Sequence, residues 1–254
     1  MGKVIIKTKE EIEKIRESCR IVADVLKLMK TTIRPGVTTQ ELDTLAEEYI
    51  YSQNAEPAFK GYGNKKNNLY PASICTSVDD KVVHGIPGNH RLREGEIISV
   101  DVGAKKNGYY GDGAWTFEVG KVSEDKLRLM RITQESLYKG IEQAKSGNRV
   151  KDISSAVQTY VERAGFSVVR DLVGHGVGRE LHEEPAIPNY VDSHSSPKLE
   201  VGMTLAIEPM VNYGTYRVRI HDDGWTVSTQ DGLPSAHFEH TVLVTDNGPE
   251  ILTR

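Results

Sequence analysis

The sequence predicts an α+β domain in which a curved, mostly antiparallel sheet carries helices on its outer face. Three observations predict it. Amphipathic helical segments come in two pairs, one before residue 52 and one after residue 120. Between and after them lie alternating apolar stretches joined by short turns. Matching positions in the two helix pairs also keep one constant offset: Gly36 with Gly147, Leu42 with Ile153, Ala46 with Val157, Tyr49 with Tyr160, Ile50 with Val161. A fixed offset across a helix pair points to two related halves, since repeat arrays use shorter periods. Chance alignment of two amphipathic helices is the alternative.

Thr8 and Glu11 form a capping-box signature. Apolar residues follow at Ile12, Ile15, Cys19, Val22, Leu26, Met29 and Ile33, a helical stripe that Pro35-Gly36 ends. Thr38 and Glu41 open a second helix with Leu42, Leu45, Ala46 and Tyr49 on its apolar side. Ser123-Glu124-Asp125 opens a third, with Leu127, Met130, Leu137 and Ile141, ending near Gly147. A fourth carries Ile153, Ala156, Val157, Tyr160 and Val161 and ends at Gly165. Strands are expected at Glu96 to Gly103, Tyr110 to Val119, Met203 to Val211, Trp225 to Thr229 and Ala236 to Thr245. In the first of these, Ile98, Val100 and Val102 face one way, Ser99 and Asp101 the other. Turns at Lys106-Asn107-Gly108, Asp222-Asp223-Gly224 and Gln230-Asp231-Gly232 suit antiparallel connections, while Gly61 to Leu69 and Pro188 to Glu200 are loops.

A chain of 254 residues can bury a large core, and 38% hydrophobic with 27% charged residues is ordinary for a globular domain. A net charge of -4 gives no electrostatic reason for nucleic-acid or membrane binding. Cys19 and Cys75 lack metal-finger spacing and are too few for a disulfide framework, so a reducing, cytoplasmic location is the default. The first residues lack the apolar core of a signal peptide, Ile6 stands where myristoylation needs Ser or Thr, and no apolar run reaches membrane-spanning length.

The chemistry concentrates around Gly174-His175-Gly176-Val177-Gly178-Arg179-Glu180-Leu181-His182-Glu183-Glu184-Pro185. Glycines allow close approach to a ligand, but the neighbouring carboxylates would repel phosphate, so a metal or proton-transfer site fits better than a nucleotide loop. A polar surface loop is the bland alternative. Four carboxylates meanwhile stand where charge is expensive: Asp101 inside an apolar strand, Asp112 between Gly111 and Gly113, Glu208 after Leu205-Ala206-Ile207, and Glu239 in His237-Phe238-Glu239-His240. Asp101 and Asp112 can meet across a hairpin. Each alone reads more simply as a hydrogen-bonded turn or strand residue. Gathered in one semi-buried site, four like charges would repel by several kcal/mol per close pair at an effective dielectric of ~20. Two divalent cations would compensate them, with His175 as a neutral fifth ligand. Such an oxygen-rich set suits paired Mn, Fe, Co or Zn, ~3.5–4 Å apart under a bridging carboxylate. His237 shares a face with Glu239 but is left out as a structural histidine, His240 points the other way, and His90, His194 and His221 read as solvated loop residues.

These motifs, with Ile207-Glu208-Pro209-Met210, Asp223-Gly224-Trp225-Thr226, Phe238-Glu239-His240-Thr241 and Val82-Val83-His84-Gly85-Ile86-Pro87, resemble those of type I methionine aminopeptidases, in order and along essentially the whole chain. The resemblance implies the pita-bread fold, a curved antiparallel sheet covered by two pseudo-symmetric helix pairs. The chain would then be a single catalytic domain over residues 1–254, in halves of roughly 8–120 and 121–245. It also implies removal of the initiator methionine from new polypeptides whose second residue is small. One metal would take Asp101 with the bridging pair Asp112 and Glu239, and the other His175 and Glu208 with that same pair. A water bridging the metals would attack the scissile carbonyl, Glu208 would relay its proton, His182 would bond the carbonyl or oxyanion, and His84 would contact the peptide beyond the cleaved bond.

Tyr62, Tyr70, Cys75 and Trp225 match positions of the family's methionine pocket, and aromatic walls with sulfur suit a thioether. Phe59 stands where a cysteine is often found and Leu181 where many members have an aromatic residue. The run Gly63-Asn64-Lys65-Lys66-Asn67-Asn68 lengthens the segment between Tyr62 and Tyr70. For Phe59 and Cys75 ordinary core packing is an equal reading. Two other functions share the fold: an Xaa-Pro peptidase, which usually carries an extra N-terminal domain, and a non-catalytic peptide-binding module, which would have lost ligands. The direct start at the helices, with no zinc-finger extension and no long insertion near the helical second half, fits the compact bacterial form; a monomer acting on the N-terminal segments of nascent polypeptides is expected. Lys65-Lys66 and Arg91 to Arg93 are too sparse to argue ribosome docking, which stays open as a transient contact.

Overall fold

A computed structural model describes residues 4–63, 68–192 and 196–254; Lys65-Lys66 and His194 lie outside them. The elements follow in the order α1 (Lys9–Thr32), α2 (Thr39–Ser52), β1 (Glu56–Pro57), β2 (Ile74–Val78), β3 (Lys81–Val83), β4 (Ile97–Lys106), β5 (Tyr109–Glu118), α3 (Glu124–Ile141), α4 (Val150–Arg163), β6 (Ser167–Val168), β7 (Gly174–Gly176), β8 (Glu183–Ile187), β9 (Thr204–Ile207), β10 (Met210–Asn212), β11 (Val218–Ile220), β12 (Val227–Thr229), β13 (Ser235–His237), β14 (His240–Thr245) and β15 (Gly248–Ile251). Among the described residues no helix is long and apolar enough to cross a membrane.

Local chemistry accounts for the helices. The Thr8 hydroxyl accepts the Glu11 N–H and the Glu11 carboxylate accepts the Thr8 N–H; Thr38 and Glu41 repeat the exchange ahead of α2. Ser123 caps α3, and at the head of α4 Asp152 accepts the Arg149 N–H at 2.7 Å. Ile15, Cys19, Val22, Val25 and Met29 of α1 are fully buried, each contributing about 1.5–3 kcal/mol of apolar burial for the larger side chains. The helix lies directly on the sheet at Gly111: a Cβ there would sit 2.6 Å from the Cys19 backbone nitrogen. Only glycine permits that approach, and it fixes the strand carrying Asp112 against α1.

The two halves share a hydrogen-bonding plan. Gly36 donates to the Leu92 carbonyl at 2.8 Å and Gly147 to the Leu199 carbonyl at 3.0 Å; Leu92 returns a bond to Val37 and Leu199 to Asn148. Gly95 donates to Val119 and Gly202 to Val244, again with reciprocal bonds. The glycines match in backbone too, φ +96° and +95° for Gly36 and Gly147, +91° and +90° for Gly95 and Gly202. Helices α2 and α4 each span 14 residues. The constant offset is therefore structural, and the helix pairs cover the sheets pseudo-symmetrically. One apolar cluster gathers under each pair, and Trp115 packs against both.

Strands β2, β1 and β5 pair with β4, and β15-β14-β9-β7-β8 form a five-stranded sheet; β13-β10-β6 and β11-β12-β3 form two smaller ones. The β4–β5 hairpin turns at Asn107-Gly108, both with positive φ, as its turn residues dictate. Two expected strands are broken. Met203 to Val211 splits at Glu208-Pro209 into β9 and β10, and Ala236 to Thr245 splits at Phe238-Glu239 into β13 and β14. Both breaks fall at one level: Ile207 pairs with His240 on one side and Met210 with His237 on the other. Pro209 has no N–H to continue a ladder, and Glu239 instead exchanges backbone bonds with Ala114 of β5. The strand expected from Trp225 begins only at Val227, because the Asp223 carboxylate accepts the N–H groups of Trp225 and Thr226 in a turn.

Candidate metal centre

All five expected ligands line one cavity. Register explains the first pair: Asp101 lies opposite Ala114 and Asp112 opposite Gly103, so the two are diagonal neighbours on one face of the β4–β5 hairpin. Cys75 of β2 lies opposite Asp101 and joins that face. His175 comes from β7, while Glu208 and Glu239 come from the two strand breaks, where the change of sheet swings their side chains inward. Ligand atoms of Asp112, His175 and Glu239 lie within 4.8 Å of one another. His175 Nε2 stands 3.4 Å from Glu208 Oε1 and 3.8 Å from Asp112 Oδ2.

The backbones beneath these ligands are clamped. The Thr241 hydroxyl accepts the Asp112 N–H and donates to the Asp112 carbonyl. The Asn189 amide donates to the Glu208 carbonyl at 3.0 Å. His175 Nδ1 faces the Gly176 carbonyl at 2.9 Å, so it must carry the proton, leaving the Nε2 lone pair toward the carboxylates.

Electrostatics tests the set for cations. Burial, then the Glu208 charge, pushes Asp101 up to about 7, and burial pushes Glu208 up to about 8. Burial raises Asp112 and Glu239 well above the carboxylate range, reinforced by their acidic neighbours. Burial also drives His175 down to about 3. Asp101 Oδ1 and Glu239 Oε1 are buried with no hydrogen-bond partner. Four carboxylates and a neutral imidazole, with orphaned oxygens turned inward, fit hard to borderline divalent cations, whose charge would keep the carboxylates ionised.

The cavity as a whole holds about 110 Å³, and its other walls are His84, His182, Phe59, Tyr62, Tyr70, Cys75, Leu181 and Trp225. Phe59, Tyr70, Cys75 and Leu181 are buried and pack together, so for Phe59 and Cys75 core packing and cavity lining hold at once. The Tyr70 hydroxyl donates toward the Ile74 and Gly85 carbonyls, and Trp225 meets its ring edge-on at 5.3 Å. His84 holds a left-handed backbone, φ +56°, beside Gly85, where a Cβ would fall 2.1 Å from the Thr76 carbonyl oxygen. Burial, then the charges of His237 and His182, lowers His84 to about 4. His182 packs its ring 4.2 Å from that of His175, and its Nδ1 lies 2.6 Å from Tyr62 Oη. Its loop is pinned by Glu183, whose carboxylate accepts the Arg179 and Glu180 N–H groups and the Lys7 ammonium at 2.6 Å.

Sequence reasoning missed His237. The imidazole is 1% exposed, neither ring nitrogen has a partner, and Nε2 lies 3.6 Å from Glu208 Oε2 and 4.0 Å from Glu239 Oε2. Its strand parity with Glu239 was the available signal. His240 does avoid the cavity, bonding Thr253 Oγ1 at 2.9 Å. His90 and His221 are not simply solvated: they bond Glu96 and the Ser228 hydroxyl.

The sequence pattern of metallopeptidase family M24 matches residues 13–246. The methionine aminopeptidase of Clostridium acetobutylicum is 54% identical over 251 residues, 98% of both chains. The crystal structure of methionine aminopeptidase from Thermotoga maritima superposes with a TM-score of 0.95 at 48% identity, covering 99% of this chain and 100% of that one. The prolidase from Pyrococcus furiosus matches less closely, with a TM-score of 0.77 at 28% identity, and only 65% of its chain is covered. End-to-end likeness to the aminopeptidases, and only partial likeness to the prolidase, sort the two readings of this metal set: the chain belongs to metallopeptidase family M24 and, within it, to the methionine aminopeptidases.

Proposed function

We propose that this protein is a metalloaminopeptidase that removes the initiator methionine from nascent polypeptides with a small second residue. The observation that carries this reading is the meeting of five metal-type ligands, drawn from β4, β5, β7 and two strand breaks, beside an apolar cavity walled by aromatic rings and a buried thiol. Asp101, Asp112 and Glu239 would hold one divalent cation and His175, Glu208, Asp112 and Glu239 a second, from Mn, Fe, Co or Zn. Bound divalent cations supply Lewis acidity and make water acidic enough to act as a nucleophile near neutral pH.

The chain's own groups do the rest. Glu208, ionised in the loaded site, would take up at its carboxylate the proton given up by the attacking water and pass it to the leaving nitrogen. His182 donates an N–H to the scissile carbonyl oxygen as negative charge develops there. His84, fixed by its strained backbone, contacts the peptide beyond the cleaved bond. Phe59, Tyr62, Tyr70, Cys75, Leu181 and Trp225 enclose the methionine side chain and exclude water, ring faces and sulfur suiting its polarisable thioether. We take the enzyme as a cytoplasmic monomer, one catalytic domain over residues 1–254 in halves of 8–120 and 121–245, which the matched hydrogen bonds of the two helix pairs support.

The test is cleavage by purified protein supplied with a divalent cation. Met-Gly-Met-Ser should lose its first residue, Ala-Pro should not, and chelation should abolish turnover. Cleavage of Ala-Pro alone would favour the Xaa-Pro peptidase, and cleavage of neither the binding module.

A further inference from the structure

Tyr62 and His182 lie 120 residues apart in the chain and meet at the mouth of the cavity, Tyr62 Oη 2.6 Å from His182 Nδ1, with ring centroids 5.2 Å apart. A phenol O–H is a strong donor while its oxygen accepts weakly, so across this 2.6 Å contact we assign the hydroxyl as donor and Nδ1 as acceptor. A neutral imidazole accepts at one nitrogen and donates at the other, so the only N–H left to His182 is at Nε2. An N–H is what the carbonyl-binding role requires of this residue.

Tyr62 is not an isolated side chain. Its N–H donates to the Phe59 carbonyl at 2.9 Å, and its carbonyl accepts the Tyr70 N–H at 2.9 Å. A turn thus ties three residues of the methionine pocket into one unit, and the tip of that unit is bonded to His182. A side chain that seats badly in the pocket and displaces Tyr62 withdraws the hydroxyl from Nδ1.

We propose that Tyr62 is a positioning residue, whose hydroxyl holds His182 in the tautomer protonated at Nε2 and so couples filling of the methionine pocket to polarisation of the scissile carbonyl. This rests on the aminopeptidase reading for its substrate, though the tautomer itself can be measured without turnover.

The experiment uses zinc-loaded enzyme with ¹⁵N-labelled histidine, the His182 signals being assigned by comparison with His182→Ala. Wild type should show Nε2 protonated and Nδ1 bare, and Tyr62→Phe a mixture of tautomers. On Met-Gly-Met-Ser, Tyr62→Phe should lower kcat about tenfold, the effect of losing one well-made hydrogen bond, with KM within about twofold and metal content unchanged. In the His182→Ala background the same substitution should have no further effect. A proton on Nδ1 in wild type, an undiminished kcat in Tyr62→Phe, or a full additional loss in the double variant would each overturn the proposal. If wild type cleaves no methionyl peptide, the substrate reading fails instead, and the ¹⁵N spectrum still decides whether the tautomer is locked.

Discussion

Replacing Lys7 by methionine removes the charge from one side of a deeply buried lysine–carboxylate ion pair. Lys7 Nζ lies 2.6 Å from Glu183 Oε2, and the two side chains are 3% and 4% exposed. Nζ donates as well to the Ile5 carbonyl, while Glu183 Oε1 is occupied by the Arg179 and Glu180 N–H groups. Methionine fills most of the lysine stem's volume, so the loss is chiefly electrostatic: a carboxylate left buried with two backbone donors and no countercharge. Breaking one side of such a pair costs about 3–5 kcal/mol, and the surviving donors favour the lower end. At about 2–4 °C per kcal/mol for a chain of this size, Tm should fall by about 6–12 °C. Calorimetry of metal-loaded Lys7→Met measures it, and Glu183→Gln in the same chain should recover part of the loss by removing the stranded charge. The same pin sets the loop bearing Leu181 and His182, so kcat should fall about tenfold with metal content unchanged. A Tm within 2 °C of wild type, or a double variant worse than Lys7→Met, would refute the reasoning.

Further expectations follow from the same geometry. Gly111→Ala should cost about 1–3 kcal/mol in denaturant unfolding and lower metal stoichiometry, because the new Cβ forces α1 off the strand that presents Asp112. His84→Ala and His182→Ala should each lower kcat/KM by about 10²-fold with metal content intact by elemental analysis; metal loss would contradict their substrate-facing roles. His237→Leu forfeits no hydrogen bond, so thermal stability should hold or rise, while titration calorimetry should find metal affinity about tenfold weaker as Glu208 loses the imidazole 3.6 Å from its Oε2. In chelated protein, Asp101 and Glu208 have folded pKa values near 7 and 8, above their ordinary 3.8 and 4.5. Raised acids bind more protons folded than unfolded, so stability should be full below about pH 4 and fall as pH rises toward 8; a Tm flat across that window would count against the buried carboxylate cluster.

The helices were legible because each carries its own signal: a 3.6-residue stripe, and capping boxes at Thr8 and Thr38 that act within four residues. The Asp101–Asp112 juxtaposition was legible too, since a hairpin converts sequence spacing into register. What escaped depends on residues far apart in the chain. Strand-forming residues flank Glu208-Pro209 and Phe238-Glu239 on both sides, and only pairing with a partner strand decides where each ladder stops. His237 looked structural because strand parity gives a face but not a neighbour. The Tyr62–His182 bond has no local precursor at all, as it joins loops from opposite halves.

That distribution bears on how the site is held together. Asp101 and Asp112 belong to the first half, His175, Glu208 and Glu239 to the second, and the halves exchange backbone bonds at Ala114 and Glu239, beside the ligands themselves. Bringing the halves together buries four carboxylates at once, an electrostatic cost that the apolar clusters under each helix pair oppose but do not remove. Bound divalent cations would convert that repulsion into attraction at the seam. Metal binding and the docking of the two halves are then one equilibrium seen from two sides, and chelation should loosen the seam before it unfolds either helix pair. Hydrogen exchange measures this directly: removing metal should raise exchange at Ala114, Glu239 and Thr241 while the amides of α1 and α4 stay protected. Uniform loss of protection across both helix pairs would mean that the cations stabilise the whole fold and not the junction between its halves.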